Sequence, residues 1–269
     1  MKNIIGFTIG DENTEEILET GKGASPEASE ETPVRSLVTV TFPDVDRSYP
    51  YYNDRFSLQP GDCVYVSGKL AGRWGVVESV STKFKISLAD YEKVLRVFRP
   101  ELHGTYEHLV DKMVCFTGEC PDADTFRTWF IPPLADGEEP AEIVCGEGYS
   151  LDLDTLEESD EVLPQIAERA LDYCRSGKVE VLTVKDGVGT AFVKGTKYYE
   201  VNFRIHGRSI TDLYCDCPYP GFCKHSLAVL ITLRRLLMEI PESLADSFTV
   251  IDERLFFTIL RKTAVTVKV

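Results

Sequence analysis

Apolar and polar positions alternate through much of the C-terminal half, and this pattern predicts antiparallel strands. Four alternating runs cover residues 179–184, 188–194, 197–205 and 208–214. Glycine-containing turns separate these runs, at Gly187, Gly195 and Gly207. Short alternating runs joined by such turns are typical of β-hairpins. The pattern therefore predicts a meander of four strands.

Two helical patterns flank the predicted meander. Before it, apolar residues at spacings of three and four run from Leu163 to Cys174, which indicates one buried helix face. After it, a wide apolar stripe runs from Leu227 to Ile240, and Pro241 ends the pattern. We expect both helices to cover the sheet.

A second group of short strands is predicted nearer the N-terminus. Candidate strands cover residues 36–42, 63–66, 75–80 and 83–88, and a short helix is predicted at 90–98. Turns rich in glycine separate the strands, which is typical of a small β-barrel. We therefore expect a barrel module over residues 35–100.

One turn of the C-terminal half is dense in metal-binding residue types. The run Y-C-D-C-P-Y-P-G-F-C-K-H contains Cys215, Cys217, Cys223 and His225. Three thiolates and one imidazole suit a tetrahedral Zn²⁺ ion, and two prolines and a glycine between them can reverse the chain. Four protein ligands leave no open coordination position, so the prediction is one structural zinc and no catalytic one. Disulfides or inert core thiols are the alternatives, and the lack of a secretory signal pattern disfavours disulfides.

The same turn resembles the SWIM zinc finger, whose pattern is C-x-C, a short spacer and C-x-H. The similarity runs from residue 166 to 237 and includes the C-K-H ending and the apolar helix after it. The resemblance implies binding to nucleic acid or to protein, without one defined activity. The predicted fold class is thus α+β: an N-terminal small β-barrel module plus a C-terminal zinc-bound antiparallel sheet flanked by helices.

Residues 35–99 are similar to the N-terminal 3′ DNA-binding domain of the primosomal replication helicase. The shared residues are Asp46, Arg47, Tyr49 and Tyr51, L-Q-P-G-D at 58–62 and G-V-V at 75–77. The chain contains no Walker A loop, so the similarity implies only binding to a strand or a 3′ end. Tyrosines beside arginines can stack on bases, although they can equally well pack a barrel edge. The candidate contacts in this module are Arg47, Tyr49, Tyr51, Tyr52 and Arg73.

A further candidate for phosphate contact is a small basic edge beside the metal-binding turn. It consists of Lys224, Arg234 and Arg235, which fall between apolar positions of the second helix. The alternative is an ordinary solvated helix face, which many charged residues form without any ligand.

The net charge of −15 is unevenly distributed along the 269 residues. It is −5 over 1–35, +2 over 36–100, −15 over 101–161 and +3 over 162–240, and the remainder is neutral. The predicted organisation is a tether at 1–34, the barrel module at 35–100, an acidic connecting segment at 101–161, the zinc domain at 162–240 and a tail with a helix and a strand at 241–269. An acidic chain repels polyanions at long range, whereas basic modules still permit local contacts.

The acidic segment has two further interpretations. Val114 to Phe116 and Trp129 to Ile131 are candidate strands. A carboxylate group suggests a hard-metal hydrolase site, made of Glu119, Asp122 and Asp124. A second zinc site is the other possibility, formed by Cys115, Cys120 and Cys145 with His103 or His108. For the second zinc site, the simpler alternative is that the thiols are buried or idle. For the hydrolase site, the simpler alternative is an acidic surface without catalysis.

Three classes of function follow from these features. The first is a zinc-binding, non-enzymatic protein that binds nucleic acid, with single-stranded or 3′-ended DNA as the expected form. The second is a protein-interaction adaptor with a purely structural zinc, which partners an ATPase or another DNA-processing enzyme. The third is a hydrolase. Eight cysteines without a secretory pattern indicate a reducing cytoplasm, and no apolar run is long enough for a membrane helix. The sequence predicts no catalytic residue and no small-molecule substrate.

Overall fold

A computed structural model describes residues 35–43, 45–83, 91–100, 102, 105–109, 112–117, 121–134, 149–241 and 247–262. All of these belong to one unit, Pro33–Val269. The predicted tether at 1–34 and the greater part of the strand predicted at 83–88 lie outside the described residues.

The described residues form β-strands and α-helices in the following order along the chain. The strands are β1 Ser36–Phe42, β2 Arg47–Asn53, β3 Cys63–Val66, β4 Trp74–Ser81, β5 Val94–Phe98, β6 Thr105–His108, β7 Met113–Thr117, β8 Tyr149–Asp152, β9 Val179–Lys185, β10 Val188–Lys194, β11 Tyr198–His206, β12 Ser209–Cys215 and β13 Ser247–Asp252. The α-helices are α1 Ala123–Phe130, α2 Pro164–Arg175, α3 Lys224–Glu239 and α4 Glu253–Lys262.

The first five strands form an antiparallel sheet in the order β2-β1-β4-β3-β5. A single parallel bridge joins Tyr52 to Lys93 near one end of the two edge strands. Over the described residues the pairing does not continue beyond this bridge, so the predicted closed barrel is not found. The predicted helix at 90–98 is also wrong from Val94 onward, because β5 pairs with β3 and is rich in β-branched and aromatic residues.

The remaining strands form a larger antiparallel sheet in the order β6-β7-β13-β9-β10-β11-β12-β8. The predicted meander is present as β9 to β12. Strands from residues 101–161 and 241–269 extend it on both sides, and β13 lies between β7 and β9. The candidate strand at 114–116 is β7, whereas the one at 129–131 falls mainly in α1, whose Phe126, Trp129 and Phe130 form one buried face.

Helix α3 packs against one face of the larger sheet, on β9 to β12, and α2 packs against α3. Nearly every residue in the first ten of α3 is buried, as expected for a helix enclosed on all sides. The opposite face packs against α1, α4 and the first sheet in a shared aromatic core. There Tyr65 Oη donates to the carbonyl of Trp129 at 2.5 Å, which joins the first sheet to α1. Within the described ranges no helix combines the length and apolar character needed to cross a membrane.

Candidate metal centre

The four predicted zinc ligands lie where β12 passes into α3. Cys215 is the last residue of β12, and Cys223 is the N-cap of α3. The Cys223 Sγ accepts a hydrogen bond from Ser226 N at 3.4 Å, so this residue both caps the helix and faces the cluster. Between these cysteines, Gly221 has a φ of 140°, which a side chain would strain. The turn therefore brings Cys223 back beside Cys215.

The ligand atoms of the four residues are close enough for one ion. All of them lie within 4.8 Å of one another. The Nδ1 atom of His225 is 3.8 Å from the Sγ of Cys215 and 3.8 Å from the Sγ of Cys223. Zn–S and Zn–N bonds at tetrahedral angles place sulfur and nitrogen about 3.5 Å apart. The cluster therefore fits a single tetrahedral zinc.

The environment of His225 also fits a metal ligand. Its side chain is almost completely buried, and Nε2 has no hydrogen-bond partner among the described residues. Tyr199 stacks on the ring at 4.4 Å between centroids, and Tyr173 contacts it edge-on at 5.3 Å. Leaving Nε2 buried without a polar partner is costly. A metal bond at Nδ1 would not pair Nε2, but its free energy would offset that cost.

Crowding of the three thiols changes their acidity in opposite directions. Hydrogen bonds from Cys215 and Cys217 lower the pKa of Cys223. Hydrogen bonding to the other two thiols and burial raise the pKa of Cys215. A divalent cation stabilises thiolates, so it would allow all three to ionise together.

Neighbouring strands hold the turn in place. Within the C-x-C pair, Asp216 accepts a hydrogen bond from Glu200 N at 2.9 Å and donates its own N–H to Glu200 O at 3.1 Å. Phe222 packs against Tyr149 of β8 with ring centroids 5.4 Å apart. Sequence analysis missed these supports and the two tyrosines around His225, because they come from distant parts of the chain. Only Asp216, inside the C-x-C pair, was detectable from its position.

The candidate nucleic-acid contacts of the first module divide into exposed and buried groups. Arg47 and Arg73 are exposed. Tyr51 and Tyr52 are 5% and 4% exposed, and burial raises the pKa of Tyr51. Tyr49 is half-buried and lies 6.4 Å from the ring of Phe42. This burial favours the alternative that Tyr51 and Tyr52 pack within the module, and the contacts of this group with nucleic acid stay a prediction.

The basic edge beside the metal-binding turn is largely occupied by intramolecular contacts. Lys224 Nζ lies 4.9 Å from the ring centre of Tyr173. Arg234 forms two hydrogen bonds to the Glu157 carboxylate, at 2.5 and 2.9 Å. Arg235 is half-buried and also has a partner. Arg234 and Arg235 are thus half-buried and not fully exposed to solvent, and their contact with phosphates stays a prediction.

The acidic residues of the segment 101–161 have structural contacts of their own. Asp122 caps α1 by accepting from Thr125 N at 2.8 Å, and this bond lowers the pKa of Asp122. Asp124 forms an ion pair with Arg127, which also bonds Glu200 at 2.6 Å. These contacts disfavour the hydrolase interpretation.

The second-zinc interpretation rests largely on residues outside the described part. Cys120, Cys145 and His103 all lie outside it, as does Glu119 of the candidate hydrolase site. Cys115 is buried in β7, and His108 lies 3.5 Å from Glu253. No second group of metal-ligating side chains meets within the described ranges. The second site stays a prediction.

Comparison with known proteins identifies this centre. Residues 198–234 match the SWIM zinc finger family, and they include β11, β12, the metal-binding turn and two thirds of α3. The chain therefore carries a SWIM zinc finger whose cluster of three cysteines and one histidine can hold one zinc ion. Comparison with curated proteins and with solved structures gives no match. The similarity of residues 35–99 to the helicase domain stays a prediction.

Proposed function

We propose that this protein is a non-enzymatic, zinc-binding protein of the cytoplasm that binds nucleic acid, with single-stranded or 3′-ended DNA as its ligand. The observation that carries the proposal is the SWIM match, which coincides with a complete C-x-C…C-x-H cluster. SWIM zinc fingers are interaction modules for nucleic acid or protein, so the match supports binding as the activity.

The metal centre has a structural role in this proposal. Cys215, Cys217, Cys223 and His225 would hold the ion and thereby fasten the end of β12 to the start of α3. Zinc supplies folding free energy in such closed sites. Because four protein ligands leave no position for water or substrate, the centre supports binding and not catalysis.

The charge distribution supports nucleic acid as the partner. Two arginines of the first module, Arg47 and Arg73, are exposed although the chain as a whole carries −15. Cations kept on the surface of an acidic protein can contact phosphates at short range. Long-range repulsion would at the same time limit nonspecific binding.

A protein-interaction adaptor is the second candidate, and the contacts of Arg234 favour it. Its pairing with Glu157 removes a cation from the surface beside the metal centre. In this alternative zinc only stabilises a surface that docks an ATPase or another DNA-processing enzyme. The large negative charge would then favour a basic partner.

Fluorescence anisotropy with labelled single-stranded, duplex and 3′-tailed DNA at two salt concentrations tests the proposal. We expect tighter binding to the single-stranded and 3′-tailed forms, and a steep loss of affinity at the higher salt. No binding at low salt, or affinity independent of salt, refutes nucleic-acid binding. Recovery of one protein partner after nuclease treatment would then support the adaptor.

A further inference from the structure

A groove of about 440 Å³ lies between the first sheet and the larger sheet. One wall is the turn before β4, with Arg73 and Trp74. The other wall combines the segment after α2, the β10–β11 turn and the start of α4. Five cationic side chains line it: Arg73, Lys178, Lys194, Lys197 and Arg254. All five lie outside residues 198–234, although Tyr198, the first residue of the SWIM match, also lines the groove.

The two acidic residues of the groove are already engaged by neighbours. Glu180 pairs with Lys194 at 3.6 Å and accepts a hydrogen bond from Tyr198 Oη. Asp252 pairs with Arg254 at 3.3 Å and caps α4 by accepting from Arg254 N. Neither carboxylate is available to neutralise the remaining cations of the groove.

Three cations of the groove have no carboxylate partner among the described residues, and they are Arg73, Lys178 and Lys197. Lys197 instead lies with its Nζ 5.6 Å from the ring centre of Tyr199. Like charges that line one groove repel each other, and an anion bound between them would relieve this repulsion. A bound anion is therefore the ligand class that the groove favours.

An adjoining pocket extends the cationic surface. Gly177 lines both cavities, and the second one contains Lys112, Arg175 and Arg235 without any acidic lining residue. The Arg254 guanidinium lies beside the shared Gly177 and donates to Ser176 O at 2.8 Å. Cationic side chains in two neighbouring cavities suit an extended polyanion better than one small ion.

We propose that this groove binds the phosphodiester backbone of a single-stranded nucleic acid, an inference that rests on the proposed function and names its binding site. The three unpaired cations contact successive phosphates. The half-exposed Trp74 offers an aromatic surface to a base at the groove wall. Positive grooves with an aromatic side chain are typical of single-strand binding. Walls on two sides favour a single strand over the wider duplex.

Charge reversal tests the groove directly in the full chain. The variant Arg73→Glu/Lys178→Glu/Lys197→Glu is compared with the control Lys69→Glu/Lys83→Glu/Lys185→Glu, which changes net charge equally at residues outside the groove. The probe is a fluorescein-labelled oligothymidylate in a salt titration. Three phosphate contacts to a single strand contribute about −2 to the slope of log K against log salt. We expect the groove variant to lose that slope and about 100-fold in affinity near 0.1 M salt.

The outcomes separate the groove from the wider proposal. If the wild type binds the oligonucleotide and the groove variant binds it with the same affinity as the control variant, the groove assignment is overturned and nucleic-acid binding stands. If the wild type does not bind at low salt, the proposed function fails, and the groove assignment fails with it. A loss of affinity that occurs in the groove variant and not in the control supports both the groove assignment and the proposed function.

Tryptophan fluorescence provides an independent readout at the groove. The chain has two tryptophans, and Trp129 is only 3% exposed. In the variant Trp129→Phe, the signal comes from Trp74 alone. We expect the oligonucleotide to quench this signal and to protect Trp74 from iodide, with the same midpoint as the anisotropy titration. Binding without any change at Trp74 overturns the groove assignment.

Discussion

Replacing Cys217 by serine should weaken zinc binding with little change in packing. Cys217 is half-exposed, so exchanging sulfur for oxygen leaves the surrounding core intact. The other three ligands belong to the end of β12 or the start of α3, whereas Cys217 lies in the turn between them. The effect of this substitution therefore reports mainly on the metal bond.

The expected loss follows from the closed geometry of the site. Structural zinc contributes on the order of 10 kcal/mol to folding. An equal share among four ligands gives about 2.5 kcal/mol for one of them, which is a large part of a typical free energy of unfolding of about 5–15 kcal/mol. For a unit of this size, each kcal/mol lowers the Tm by about 2–4 °C. We therefore expect Cys217→Ser to lower the Tm by about 5–10 °C.

Thermal unfolding and elemental analysis of reduced, tag-free protein measure the two consequences. The wild type should contain one zinc per chain and lose stability on treatment with EDTA, whereas the variant should bind zinc more weakly and lose less stability on treatment with EDTA. The matched control is Cys174→Ser, a half-buried cysteine of α2 outside the cluster. The reasoning is refuted if Cys217→Ser keeps its zinc and unfolds within about 1 °C of the wild type, or if the control loses as much stability.

Two further substitutions test the packing and electrostatics around the site. Burial acts to raise the pKa of Glu200, but hydrogen bonds from Arg127 and Asn202 lower it below the ordinary 4.5. Glu200→Gln should therefore lower the free energy of unfolding by about 1–2 kcal/mol at pH 7. Chemical denaturation at several pH values should show the difference in stability between wild type and variant disappearing as the pH falls below about 4.5, because the stabilising charge of Glu200 is then lost. A pH-independent difference would contradict this account. In the first sheet, a Cβ at Gly75 would lie 2.5 Å from Val40 Cγ1. Gly75→Ala should therefore lower the free energy of unfolding, measured by urea denaturation, by about 1–3 kcal/mol. A variant as stable as the wild type would show that the sheet accommodates the methyl group.

The elements that sequence analysis predicted well are those formed by residues close together in the chain. The strands β9 to β12 follow from alternation and glycine turns, and each pairs with the next one in sequence. Helices α2 and α3 follow from their apolar spacing. The four ligands were detectable for the same reason, since one short turn contains all of them. Local periodicity and spacing carry this information.

The errors arise where distant segments decide the outcome. The burial of Tyr51 and Tyr52 depends on contacts with distant strands, since Tyr51 belongs to the core cluster of the first sheet and Tyr52 is bridged to Lys93. The pairing of Arg234 with Glu157 joins residues far apart in the chain. Three adjacent apolar residues at 129–131 predict a strand. In the structure, residues 129 and 130 belong to helix α1, which begins after the Asp122 cap, upstream of that run.

By itself, the sequence determined the identity of the metal ligands, the meander and the helices beside it, because these depend on residue types at short separations. Only the tertiary structure decided that β13 enters the larger sheet between β7 and β9, and that the first sheet stays open over its described residues. It alone brought Arg73, Lys178 and Lys197 to one groove. The physical reason is that strand pairing and charge clustering over long separations depend on how whole faces pack, and no local pattern records that packing.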